Sequence, residues 1–191
     1  MDEPYRRMTV EKLGLGKGDT VLDLACGTGL NFEYIEEMIG EEGLIIGLDF
    51  SRAMLERANE KKRSDWKNID LIQADAANIP LQDRLEGVVC TWAMVSIPDY
   101  QKALTSSVES LKKGKSIAIL DFRLRTDWIG QILNPVFKEI FSATNQDLTR
   151  EPWKDMEKLL SKVKIEMHPS LLFFPLAPHY IASGLKERAR S

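Results

Sequence analysis

Residues 21–29 read Val-Leu-Asp-Leu-Ala-Cys-Gly-Thr-Gly. An apolar run, Thr20 to Leu24, stops at a loop of small residues, Ala25-Cys26-Gly27-Thr28-Gly29. Small residues at 25, 27 and 29 let the backbone turn sharply and let a ligand approach main-chain atoms closely. A helical pattern follows through Ile39, with Leu30, Phe32, Tyr34, Ile35, Met38 and Ile39 on its apolar faces, and Gly40 and Gly43 break it. The segment therefore reads as strand, glycine loop, helix.

Outward from this unit the alternation repeats. Leu44–Leu48, Ile69–Ala74, Leu85–Cys90 and Ser116–Leu120 read as further strands. Ser51 is a good N-cap for a helix carrying Met54, Leu55 and Ala58. A helix from about Tyr100 to Lys112 is ended by Gly114, and helical patterns recur near Asp127 to Phe141 and Trp153 to Leu160. Two extended runs, Val163–Met167 and His179–Leu185, close the chain with no helix between them and suit an antiparallel pair at one sheet edge. Five strands separated by helices predict an α/β fold with right-handed crossovers, a mostly parallel sheet and helices on both faces. The near-continuous apolar strands agree, because such strands are buried on both sides.

The chain has 191 residues, which suits a single domain over 1–191. Its 26 Lys and Arg against 29 Asp and Glu leave a formal charge of only -3, which argues against a general nucleic-acid binder. The start, Met1-Asp2-Glu3-Pro4-Tyr5, has no apolar secretory core. The most apolar stretch, residues 169–178, is too short to span a bilayer and contains three prolines. The two cysteines, Cys26 and Cys90, have neither metal spacing nor a disulfide framework. The expected compartment is the reducing cytoplasm, and no metal site is expected.

Ligands on such sheets bind beyond the carboxyl ends of the strands. Three successive ends carry an acid: Asp23 before the glycine loop, Asp49 after the second strand and Asp75 after the third. Asp49 is placed to accept hydrogen bonds from a ribose diol, and Asp75 from an exocyclic amine such as that of adenine. A dinucleotide-binding fingerprint, G-x-G-x-x-G, read from position 25 requires glycines at 25, 27 and 30; the chain has Ala25, Gly27 and Leu30. An acid repels a pyrophosphate and attracts a sulfonium or an α-amino group, so the charge pattern favours a cationic ligand. A nicotinamide dehydrogenase and a non-catalytic adenosyl-ligand binding protein are the competing readings.

At this point the sequence resembles the class I S-adenosylmethionine-dependent methyltransferases. VLDLACGTG (21–29) is similar to their first motif, LIIGLDFSRAML (44–55) to the acidic-loop motif and LIQADAANIPL (71–81) to the adenine-binding one. LEGVVCTWAMVSIPD (85–99) and LKKGKSIAILDF (111–122) resemble the fourth and fifth strand motifs, so that the likeness covers about 9–122, with Ala25 standing at the family's first glycine. The resemblance implies a Rossmann-like, seven-stranded, mostly parallel sheet with an antiparallel last strand beside a sixth. It implies a cofactor half at about 9–122 and acceptor-side helices and closing strands at about 123–191. Asp23 and the backbone from Ala25 through Cys26 and Gly27 to Gly29 are then expected to hold the methionine part of S-adenosylmethionine. Asp49 is expected to hold the ribose, Phe50 and Met54 to line adenine and ribose, and Asp75 with the Ala76 amide to read the adenine edge. Thr91 and Trp92 are expected to face the sulfonium or the acceptor. A narrower likeness is to phosphatidylethanolamine, betaine-lipid and quinone-ring methyltransferases. The implied acceptor is a small molecule or lipid head group, with amine N-methylation and quinone-ring C- or O-methylation both open.

A sulfonium methyl is already electrophilic, so the protein mainly has to align a nucleophile at about 3 to 3.5 Å and exclude water. A base is needed only where the acceptor keeps a proton at attack. No side chain is marked as catalytic by sequence; Asp121, Tyr5 and Trp92 are the candidates. Asp121 ends the fifth strand, with an ion pair to Arg123 or Arg125 as its structural alternative. Tyr5 is placed to cover the methionine end, and the Trp92 ring to hold a cation. His168 and His179, on the closing runs, read as surface or edge residues. Arg123 and Arg125 suit a phosphate or carboxylate head group. The apolar helix from Trp128 through Phe141 reads as a cover for the sheet, a dimer contact or a surface for a lipid or membrane. The expected assembly is a monomer or homodimer.

Overall fold

A computed structural model describes residues 3–62, 66–124, 126, 128–168 and 178–187. The strands are β1 (Thr20–Leu24), β2 (Leu44–Asp49), β3 (Ile69–Gln73), β4 (Leu85–Thr91), β5 (Leu111–Phe122), β6 (Ser161–His168) and β7 (His179–Leu185). The helices are α1 (Glu3–Glu11), α2 (Phe32–Ile39), α3 (Arg52–Lys61), α4 (Tyr100–Ser110), α5 (Trp128–Ser142) and α6 (Pro152–Leu159), with a 3-10 turn at Ala76–Asn78. One seven-stranded sheet runs in the order β3-β2-β1-β4-β5-β7-β6. β1 to β5 pair in parallel, and β7 runs antiparallel to both β5 and β6. The expected Rossmann-like fold with its antiparallel last strand is the observed one.

Side chains alternate across a strand, and the alternation sorts the core into two layers. Leu22, Leu24, Val88, Cys90, Ile117 and Ile119 face α4 and α6, together with Tyr180 and Ala182. Val21, Ile45, Val89 and Ala118 face the other way, against Val10 and Leu13 from the α1 region and Phe32 and Ile35 of α2. The same period assigns the residues at the strand ends. Asp23, Thr91, Phe122 and His179 belong to the α1 face, and Asp121 and Tyr180 to the α4 and α6 face.

Three sequence expectations change. The nine-residue α1 was not foreseen. Helix α4 stops at Ser110, not Lys112, because Leu111 already pairs with Leu85. Gly114, at φ 80, is then an irregular point inside β5 and not a helix stop; its amide donates to the Lys186 carbonyl at 2.8 Å. His179 is no surface residue: it is 5% exposed, on a strand flanked by β5 and β6. His168 does lie on the edge strand.

The edge strand β6 exposes Lys162 and Lys164 and has a register shift between Ser161 and Lys164. Helix α5 packs Phe137 and leaves Trp128, Ile132, Val136 and Ile140 exposed at four-residue spacing. The apolar run 169–178 lies, except for Pro178, outside the described residues, as do Arg125 and Asp127. Among the described residues no helix is long and apolar enough to cross a membrane.

Tyr180 is fully buried edge-on against Trp153, and its hydroxyl has no hydrogen-bond partner among the described residues. An unsatisfied buried hydroxyl costs about 1 kcal/mol or more. Tyr180→Phe is therefore expected to raise the melting temperature by roughly 2–4 °C at unchanged fold. Calorimetric melting beside circular dichroism checks this, and a lowered melting temperature contradicts it.

Candidate functional site

The carboxyl ends of β1, β2 and β3 and the loop after β4 surround a cleft of about 990 Å³. Single ligands occupy sites of roughly 300–1,000 Å³, so the cleft has room for a nucleoside donor and a second small molecule. Ala25, Gly27, Asp49, Phe50, Met54, Asp75, Ala76 and Trp92 line it. Seven of these eight were expected at the cofactor, and Trp92 at the acceptor.

The loop between β1 and α2 is held in the left-handed region, with φ 52 at Ala25, 55 at Gly27 and 74 at Gly29. A Cβ at Gly27 meets nothing within 4 Å, so this backbone is open to close approach. At Gly29 a Cβ falls 2.4 Å from the Phe32 ring, which demands glycine for packing as well as for conformation. Asp49 fixes the loop from outside: one carboxylate oxygen accepts from the Gly27 amide at 2.8 Å, the other from the Ser51 amide at 2.8 Å. Each oxygen keeps a further lone pair for a hydroxyl. Asp75 caps the 3-10 turn, one oxygen accepting from the Ala77 amide at 2.9 Å. Phe50 is 78% exposed at the cleft, a large apolar face open to a ligand.

Other expected residues lie behind the wall. Asp23 is 0% exposed, and Cys26, Gly29 and Thr91 do not line the cleft. Asp23 accepts from the Asn31 side-chain amide at 2.8 Å, and Asn31 also donates to Thr91 Oγ1 at 3.0 Å. Arg6 of α1 reaches both Asn31 and Thr91. Asn31 stands at the N-cap of α2 yet makes no capping bond, because its side chain is turned into this network. Burial pushes the Asp23 carboxyl up to about 7, with Asp49 adding repulsion and Asn31 and Arg6 opposing. Its second oxygen has no partner among the described residues. Burial also raises both cysteine thiols well above their usual value, and both are free, which fits small core residues.

Asp121 does not pair with Arg123. It is fully buried, and its oxygens accept from the Val95 amide at 3.0 Å and the Phe122 amide at 2.8 Å. Burial raises its carboxyl to about 7. It anchors the loop after β4 instead of facing the cleft. Arg123 reaches Thr126 at 3.5 Å. The same loop is gripped from the other side by Arg150, which donates to the carbonyls of Met94, Ile97 and Pro98 and lines the cleft. Arg6, Asn31 and Arg150 escaped the sequence reading: single polar residues in no motif, with partners up to 85 positions away.

Trp92 has φ 59, a left-handed conformation that a bulky residue adopts only at a cost of roughly 1–3 kcal/mol. Its amide donates to the Leu120 carbonyl at 2.7 Å. Its ring lies 4.3 Å from Phe122 and 5.6 Å from His179. Tyr5 packs on His179 at 4.2 Å and His168 at 5.2 Å, so it joins this ring cluster.

Residues 21–114 match the methyltransferase domain family. The matched residues are a class I methyltransferase domain. It is 33% identical to a demethylmenaquinone methyltransferase of Listeria welshimeri over 141 residues, 73% of this chain and 57% of the relative. It is 35% identical to the chloroplastic 2-phytyl-1,4-beta-naphthoquinone methyltransferase of Arabidopsis thaliana over 157 residues, 77% of this chain and 59% of the relative. The chain thus spans under two thirds of the length of these curated relatives. A Haemonchus contortus phosphoethanolamine N-methyltransferase, solved with phosphomonomethylethanolamine and S-adenosylhomocysteine, superposes over 97% of this chain and 53% of its own. Its TM-score is 0.79 at 14% identity, a likeness of fold.

The buried Asp23 generates a pH prediction. Its carboxyl, at about 7 in the fold against 3.8 in the open chain, favours the native state while protonated. That contribution is intact below pH 3.8 and is lost as pH rises through about 7. Asp23→Asn keeps an oxygen for Asn31 and does not titrate. Its stability relative to wild type is expected to climb between pH 4 and 8, by at most about 4 kcal/mol. Urea titrations across that range measure the slope; a constant difference contradicts it.

Proposed function

We propose that this domain transfers a methyl group from S-adenosylmethionine to a small molecule, and that the acceptor is a hydroquinone-type aromatic ring. The observation that carries the donor is the cleft, where the Asp49 carboxylate, the exposed Phe50 ring and the Asp75 carboxylate stand in order along the ends of β2 and β3. The names of the two quinone-acting relatives support the acceptor. The aromatic lining at Trp92, with Phe122 behind it, suits a flat ring.

Asp49 takes the ribose hydroxyls on its free lone pairs while it keeps the loop amides. Asp75 accepts from the adenine amino group beside Ala76, and Phe50 and Met54 cover the base. The methionine part lies along the backbone of Ala25 through Cys26 and Gly27 to Gly29, with Asp23 drawing its ammonium through the buried network. Bound there, S-adenosylmethionine supplies an electrophilic methyl on a sulfonium. The chain's own task is to seat the ring carbon in line with that methyl and to exclude water. The loop held by Asp121 and Arg150 sets where the acceptor rests. The exposed stripe Trp128, Ile132, Val136 and Ile140 on α5 supports an acceptor that carries an apolar tail, met at a membrane surface. The reading is that residues 1–191 work as one unit in the reducing cytoplasm.

Calorimetry tests the donor site. S-adenosylhomocysteine is expected to bind and NAD to leave the protein silent. Asp49→Ala is expected to weaken S-adenosylhomocysteine by about 1–3 kcal/mol. Binding of NAD alone overturns the reading. Methyl release with 1,4-naphthalenediol, phosphoethanolamine and a nicotinamide control then sorts ring from amine acceptors; turnover of the amine alone rejects the ring.

A further inference from the structure

The chain contains two histidines. The sheet brings them together: His168 of β6 and His179 of β7 are direct partners in the antiparallel ladder. Their rings stack at 5.5 Å and 11°. The α1-facing row at the strand ends then continues to Phe122, the ladder partner of His179 on β5, and to Trp92 beyond β4. Three ring nitrogens in this cluster, Trp92 Nε1, His168 Nε2 and His179 Nε2, are buried and have no hydrogen-bond partner among the described residues. Glu166, at 3.9 Å from His168 Nε2, is too far to serve as one.

Each unsatisfied buried nitrogen costs free energy, and native interiors leave few of them. Three on neighbouring rings leave hydrogen-bonding capacity that the polar groups of a ligand can fill. The ligand's chemistry follows from the walls. Aromatic faces and edges favour a planar ring. An indole N–H donates only, while an imidazole Nε2 accepts from a hydroxyl or donates to a carbonyl oxygen according to its tautomer. A ring bearing oxygens satisfies both. Burial, with His168 beside it, holds His179 down to about 4, so its imidazole is uncharged at neutral pH. Trp92 lines the cleft, whereas His179 lies behind it under Tyr5 of the first turn of α1, so the subsite is reached only where the Tyr5 ring moves aside.

We propose that Trp92 and His179, backed by His168, form the hydrogen-bonding wall of the acceptor subsite and hold an oxygen of a dihydroxy-arene ring. The inference rests on the ring-acceptor reading given above. His179 touches the substrate and orients its hydroxyl; His168 positions His179 by stacking.

The presence of just two imidazoles makes the test direct. Protein labelled with nitrogen-15 histidine is titrated by NMR with 1,4-naphthalenediol under anaerobic, reducing conditions, with S-adenosylhomocysteine bound. A saturable shift of the His179 nitrogens is expected, with a smaller one at His168. In turnover, His179→Phe is expected to lose about tenfold or more in kcat/KM for the diol. His179→Gln, which keeps a polar atom near the same place, is expected to recover part of that, and neither changes S-adenosylhomocysteine affinity. Should the variants fail to fold, the wild-type titration decides alone. Diol methylation with unmoved imidazole signals overturns this subsite and leaves the ring reading standing. Bound S-adenosylhomocysteine with neither methylation nor shifts overturns both.

Discussion

The site depends on one carboxylate being shared between two loops. Asp49, at the last position of β2, accepts the amide of Gly27 with one oxygen and that of Ser51 with the other. Charge-assisted bonds of this kind are roughly twice as strong as neutral ones. They fix a loop that carries positive φ at three of its five positions and otherwise has many conformations to lose. They also set the entry to α3, whose N-cap is Ser51. The floor of the cleft is therefore formed without a ligand, and the same oxygens that form it are the ones that the proposed reading assigns to the ribose.

Around that fixed floor, the strand period decides which polar groups meet. Residues of odd number at the ends of β1 and β4 turn toward α1, so Asp23 and Thr91 come together beneath Arg6, with Asn31 between them. On β5 and β7, the next two strands across the sheet, the same face carries Phe122 and His179. Asp121, one residue earlier than Phe122, faces the opposite layer and spends its charge on the Val95 and Phe122 amides. Two acids at strand ends, alike in sequence, thus serve a polar network on one side and a loop anchor on the other.

The parallel strands, the glycine loop and the cleft acids were legible in the sequence because each is a local signal: an unbroken apolar run, small residues in a row, a carboxylate one step beyond a strand. What was not legible depends on distant partners. Helix α1 is short and polar, and only its packing on the sheet makes it a helix. Gly114 reads as a helix stop until the pairing of Leu111 with Leu85 shows that the strand has already begun. Asp121 looks like an acceptor-side acid until its layer is known. The two histidines are 11 positions apart, and nothing in their neighbours announces that a ladder sets them ring to ring.

The outermost strand closes the sheet to others. β6 turns Lys162 and Lys164 outward, and its bulge at the start offsets the donors and acceptors that a flat ribbon would offer. At the far margin β3 exposes Asp70 and Gln73. Charged, irregular rims discourage strand addition. Growth of the ribbon by strand addition from a second molecule is thereby disfavoured at both rims.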